Sequence, residues 1–134
     1  AARLNIFGMI TKKNQYKGFT TQEPINADKV VDYLDKVSFE VTKKTVVVLD
    51  NASVHRNRKV KELRKIWEKR GLFLFYLPPY SPELNPAETL WRILKGKWIR
   101  PTDYQTTDSL FYCTNRALAA VGKDLFVKYS YSLI

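Results

Sequence analysis

Apolar and polar positions along this 134-residue chain change period several times, and each change marks an element. "RLNIFGMI" (Arg3 to Ile10) and "YKGFTTQ" (Tyr16 to Gln22) have strand composition and are joined by the polar turn "TKKNQ". From Asn26 the spacing turns helical. Val30, Leu34 and Val37 share one side of a helix that runs to about Ser38, with Asn26 as its cap. "TVVVLD" (Thr45 to Asp50) is a continuous β-branched run, which predicts a strand covered on both faces. A basic helix follows, with Val60, Leu63, Ile66 and Trp67 as its apolar positions and Gly71 as its stop. "LFLFYL" (Leu72 to Leu77) reads as the next buried strand. A proline-rich loop leads to Asn85 at an N-cap position and Pro86 at the first helical position. That helix runs to about Ile99, burying Leu90, Trp91, Leu94 and Trp98, and Arg100-Pro101 closes it. A last helix spans about Thr107 to Val121, stopped by Gly122, with Cys113 on its apolar side beside Leu110 and Ala117. The order β-β-α-β-α-β-α-α predicts an α/β domain with a mixed sheet flanked by helices.

Composition narrows the class. With 45% hydrophobic and 13% aromatic residues the chain has the means to bury a core, which excludes a disordered tail. No apolar run is long enough for a membrane span. One cysteine rules out an internal disulfide and fits a reducing compartment, so a cytoplasmic protein is expected. Net charge is +10, and it is unevenly spread: Arg56 to Arg70 carries +6, Arg92 to Arg100 carries +4, and the remainder sums to zero. Clustering of this kind favours a polyanionic partner, most simply nucleic acid, over a mixed solvated face.

Two carboxylates stand where such a protein does chemistry. Asp50 ends the buried strand "VVVLD", and ligands of open α/β sheets bind at the carboxyl ends of parallel strands. Glu88 sits in the first turn of the helix that follows the proline loop. Prolines fix φ and so remove freedom from the backbone that aims Glu88, and a helix start favours negative charge. Paired carboxylates on a rigid frame in a basic protein suggest divalent ions handling phosphate oxygens. A structural reading stays open for each residue alone. Asp50 can open the next helix as a cap, and Asn85 with Glu88 has the spacing of a reciprocal capping box.

"LDNASVHR" and "YLPPYSPELNPAETLWRILK" resemble the catalytic core of DDE-type DNA transposases, in the mariner-like group that includes many bacterial insertion sequences. The resemblance extends from about Asn5 to Trp98. It implies a ribonuclease-H-like fold, with Asp50 as the second catalytic acid and Glu88 as the third; Glu83, in the same loop, is not the match. It further implies two Mg²⁺ (or Mn²⁺) ions in the complete site, held in part by Asp50 and Glu88. The reaction implied is cleavage at transposon ends by water, then attack of the freed 3′-hydroxyl on target DNA. DNA-contact candidates are Asn51, His55, Arg56, Arg58, Lys59, Lys61, Arg64 and Lys65 around the first motif, with Tyr80, Ser81, Arg92 and Lys95 around the second. Arg92 and Lys95 follow Glu88 at i+4 and i+7, so an ordinary Glu–Arg surface pair is the competing reading. His55 can equally orient Asn51, and the three tryptophans fit core stripes better than base stacking.

The same resemblance sets expectations about what lies outside these motifs. The family's first acid belongs to a strand upstream of the one resembling "RLNIFGMI", and its end-reading helix-turn-helix precedes that. No acid is matched to it here, since Asp28, Asp32 and Asp35 recur as the wet face of the first helix and Glu23 is in a loop. The chain thus reads as the distal part of a single catalytic domain, a fragment or the product of a truncated or split frame, inactive alone. Other readings are a ribonuclease-H-like nuclease such as a resolvase, or a non-catalytic DNA-binding relic. Without a central first strand, "RLNIFGMI" and "TVVVLD" are expected not to pair, which favours self-association, a rearranged sheet or marginal stability.

Overall fold

A computed structural model describes residues 3–50, 58–79 and 85–129. Its strands and helices form two units, Ala1–Pro24 with Pro86–Ile134, and Ile25–Asn85. The fold is mixed α/β, with small sheets flanked by helices, of the ribonuclease-H-like kind.

In the first unit β1 (Asn5–Ile10) and β2 (Tyr16–Thr21) form an antiparallel hairpin. Gly8 and Gly18 face each other across it, and the side chain of Tyr16 lies over both, where a Cβ on either glycine would collide with its hydroxyl. The Tyr16 ring meets Trp91 edge-on, centroids 6.4 Å apart, so a cross-strand glycine pair seats an aromatic contact. Gly8→Val puts a branched side chain into Tyr16 and within 2.8 Å of Trp91. A loss of about 1–3 kcal/mol follows from such overpacking, read as a lower thermal midpoint; an unchanged midpoint would refute the close packing.

The polar turn of the hairpin carries one buried residue. Asn14 adopts φ 65° and is buried, because its amide donates to the Val127 carbonyl at 3.0 Å and accepts from the Val127 N–H at 2.6 Å. Gly122, at φ +82°, ends the last helix, and a Cβ there would lie 2.5 Å from the Asn14 carbonyl oxygen. The helices of this unit are α3 (Pro86–Ile93) and α4 (Thr107–Ala120), the latter capped by Thr106, whose hydroxyl accepts from the Ser109 N–H at 3.0 Å. Leu90, Leu94, Ile99, Leu110, Leu118 and Val121 close its core. The expected continuous helix to Ile99 is interrupted: Leu94–Trp98 is a π turn, with the Ile99 N–H bonded to the Leu94 carbonyl at 2.9 Å. Trp91, in α3, and Trp98, at the end of the π turn, are half-buried where burial is predicted. Pro101–Tyr104 adds a short 3₁₀ turn tied by Asp103, which accepts from the Arg100 N–H at 2.8 Å.

In the second unit α1 (Ala27–Glu40) precedes a parallel pair, β3 (Thr45–Leu49) and β4 (Leu72–Tyr76), joined through α2 (Arg58–Arg70). Asn26 caps α1 as predicted, accepting from the Lys29 N–H at 2.9 Å. Gly71, at φ +101°, ends α2, and its carbonyl accepts from the Thr45 N–H at 2.8 Å, so the helix stop also starts the sheet. Val47, Leu49, Leu72 and Leu74 are buried, as are Val30, Leu34 and Val37 of α1 and Val60 and Trp67 of α2. The expectation of strands covered on both faces is corrected. Val46 is 60% exposed and Phe75 57%, with Val48 exposed beside them, because helices cover one face of a two-stranded sheet and side chains alternate. Ile66 is likewise exposed, since it lies off the stripe of Val60, Leu63 and Trp67.

The first helix also departs from a plain wet face. Asp28 pairs with Lys59, while Asp35 accepts from the Trp67 indole N–H at 2.9 Å and from Arg70 at 2.8 Å. Acidic α1 and basic α2 are therefore laced edge to edge. Among the described residues β1 pairs only with β2 and β3 only with β4. The single mixed sheet of the prediction is thus two sheets, one antiparallel and one parallel, and "RLNIFGMI" and "TVVVLD" do not pair with one another.

Candidate metal and DNA site

Asp50 is placed by the parallel pair. Leu49 registers with Tyr76, the Leu77 N–H donates to the Leu49 carbonyl at 2.8 Å, and Asp50 follows at once, half-buried at the carboxyl end of β3. Glu88 is placed by α3. Ala87 and Leu90 turn inward to the first unit's core, which leaves Glu88 exposed in the first turn. Its carboxylate has no hydrogen bond or ion pair among the described residues, so neither the capping box with Asn85 nor a pair with Arg92 forms. Both structural readings of Glu88 thereby lose their contact. Asp50 belongs to the second unit and Glu88 to the first.

Arg92 and Lys95 are exposed, Lys95 within the π turn together with Gly96 and Lys97. A π turn holds one extra residue, so helical spacing counted from Glu88 does not carry past it. Asn51, His55, Arg56, Tyr80, Ser81 and Glu83 lie outside the described residues.

The α2 candidates divide sharply. Arg58 pairs with Glu62 at 2.9 Å and Lys59 with Asp28, a contact that holds the Lys59 ammonium above its ordinary pKa. Arg64 donates to the Leu74 carbonyl at 3.0 Å and reaches Glu68 at 3.5 Å. Lys61 and Lys65 are exposed and have no ion-pair partner among the described residues. Lys69, outside the residues singled out from the sequence, is in the same state; its signal was its place four residues beyond Lys65. Cys113 bears out its structural reading. It donates to Asp103 at 3.2 Å, and that bond, with burial, raises its thiol pKa away from a reactive thiolate.

Comparison with known families decides the class. The model of the DDE superfamily endonuclease family matches residues 1–111. The chain belongs to this family. The DDE match takes in β1 through α3 and the start of α4, further than the resemblance to Trp98 seen in the motifs. An uncharacterized protein y4pE/y4sA of Sinorhizobium fredii (strain NBRC 101917 / NGR234) is 34% identical over 65 residues, which is 48% of this chain and 44% of that protein. The matching stretch thus spans less than half the length of that relative. No solved structure matches significantly. The family is by its description one of endonucleases. Among the described residues of this DDE domain, no group of three or more His, Cys, Asp or Glu side chains is gathered to hold a metal. No helix among them is long and apolar enough to cross a membrane.

Proposed function

We propose that this chain is the distal part of the catalytic domain of a mariner-like insertion-sequence transposase, which cuts transposon ends and joins them to target DNA. The observation that supports this best is Glu88: an exposed carboxylate with no partner among the described residues, at the position the family motif gives to its last acid. Asp50, at the carboxyl end of a parallel strand, fills the corresponding place in the first motif. Both are hard oxygen donors, the set that Mg²⁺ or Mn²⁺ takes. When bound, such ions polarise phosphoryl oxygens and lower the pKa of water. The chain's own residues have complementary work. Backbone pairing of β3 with β4 holds Asp50, Pro86 pre-sets the first turn that carries Glu88, and exposed Arg92 and Lys95 offset phosphate charge.

The test uses the intact protein that carries this chain, a supercoiled plasmid and a duplex bearing an element end. Metal-dependent nicking, stopped by EDTA, together with end-to-plasmid joined product is expected. Cleavage without joining would favour a resolvase-like nuclease. Metal-independent DNA binding with no cleavage would leave a non-catalytic relic. The 134-residue chain alone is expected to bind duplex DNA without nicking it.

A further inference from the structure

We infer that Lys61, Lys65 and Lys69 form the phosphate-contacting stripe of α2, and that its other cations serve the fold. The inference rests on the DNA reading above and sharpens it. Seven basic residues lie on α2, and the sequence gives no reason to rank them. The structure does. Arg58, Lys59, Arg64 and Arg70 are each engaged by a carboxylate of the same unit, and Arg64 and Arg70 also hold the Leu74 carbonyl and the Ser38 hydroxyl. Arg70 stacks 3.8 Å from the centre of the Phe39 ring as well. A cation already paired gains little from a phosphate, because it must exchange one anion for another. Lys61, Lys65 and Lys69 lose no such partner among the described residues.

Their spacing makes them one surface. At i, i+4 and i+8 they advance about 6 Å per step along the helix and drift slowly around it. The stripe faces away from Val60 and Trp67, which anchor α2 to its unit, so it is the most outward line of the helix. The two acidic residues of α2, Glu62 and Glu68, are occupied by Arg58 and Arg64, so the line keeps its positive charge. Three strongly hydrated ammonium groups on flexible stems suit a sequence-independent contact to the sugar–phosphate backbone of a duplex. Lys69 is thereby a DNA-contact residue, while Lys59 and Arg64 hold α2 in place.

Fluorescence anisotropy of a labelled duplex across a salt series reads this, with the thermal midpoint followed in parallel. Lys61→Gln, Lys65→Gln and Lys69→Gln combined should lower the slope of log K against log salt by about 2.7, at about 0.9 per lost contact, and leave the midpoint unchanged. Gln keeps helix propensity close to that of Lys. Lys59→Gln with Arg64→Gln should instead lower the midpoint and change the slope by less than about one contact. An unchanged slope in the triple variant would overturn the assignment, as would an equal or larger slope change in the double variant. Wild-type chain that binds no duplex even at low salt would sink the DNA reading itself. Tighter binding to phosphatidylserine vesicles than to duplex would overturn the choice of partner.

Discussion

Asp50→Asn and Glu88→Gln should each abolish Mg²⁺- or Mn²⁺-dependent strand cleavage by the intact protein, with DNA binding largely kept. Each substitution preserves size and hydrogen-bonding reach while removing a hard anionic ligand. Groups that only orient metal ligands are worth about 10–100-fold, so loss of a ligand should exceed 100-fold in rate. Little structural damage competes with this effect at Glu88, whose exposed carboxylate supports nothing among the described residues. Glu88→Gln is therefore the cleaner of the two, and an unchanged melting curve beside lost cleavage separates chemistry from folding. Glu83→Gln serves as the internal control and should be mild. Inactivation by Glu83→Gln, with activity retained in Glu88→Gln, would show that the acidic loop has been read in the wrong register.

Trp67→Ala should be the most destabilising single change in the second unit, by about 3–5 kcal/mol. Trp67 is 0% exposed and is the largest fully buried side chain of the described residues. Its removal opens a cavity among α1, α2 and the sheet, and it also takes away the indole N–H that Asp35 accepts from. Trp67→Phe isolates the second loss. Asp35 is held below the ordinary carboxylate pKa of 3.8, first by the Trp67 hydrogen bond and then by Arg70, against an opposing effect of burial. A lowered folded-state pKa gives stability that is present above 3.8 and lost as pH falls through the lowered value. Urea titrations between pH 5 and 2 should therefore show an acid-side loss in the wild type that is shallower in Trp67→Phe. Equal pH dependence in both would mean that the indole bond contributes nothing to Asp35.

Local signals carried most of the fold. Asn26, Gly71 and Gly122 each mark a helix end because their requirements are local: a side-chain acceptor for Asn26, a positive φ for the glycines. Apolar spacing likewise placed Val30, Leu34 and Val37 inside. What the spacing could not reveal depended on partners distant in sequence. A β-branched run reads the same with one face covered as with two, so Val46 and Val48 gave no sign of exposure. Asp28 and Asp35 looked like solvated charges, because their partners lie more than 30 positions away in α2. The π turn at Leu94–Trp98 had only Gly96 as a cue, and periodicity assumes an unbroken ladder. At the candidate site, motif wording singled out Asp50 and Glu88 as candidates, whereas the division of α2's cations needed the ion pairs.

The bond between Asn14 and Val127 spans 113 positions. It belongs to a unit drawn from Ala1–Pro24 and Pro86–Ile134, while the other unit is the uninterrupted stretch Ile25–Asn85. On a translating ribosome every residue of the uninterrupted stretch is out once Asn85 has emerged. The hairpin must wait for 42 further residues before Val127 can reach Asn14, about 2–8 s at ordinary elongation rates. Until α3 brings Trp91 to Tyr16, β1 and β2 are a two-stranded ribbon, a form marginally stable in water at best. The order of birth is thus the reverse of the order of completion: the hairpin, made before the uninterrupted stretch, is locked after it.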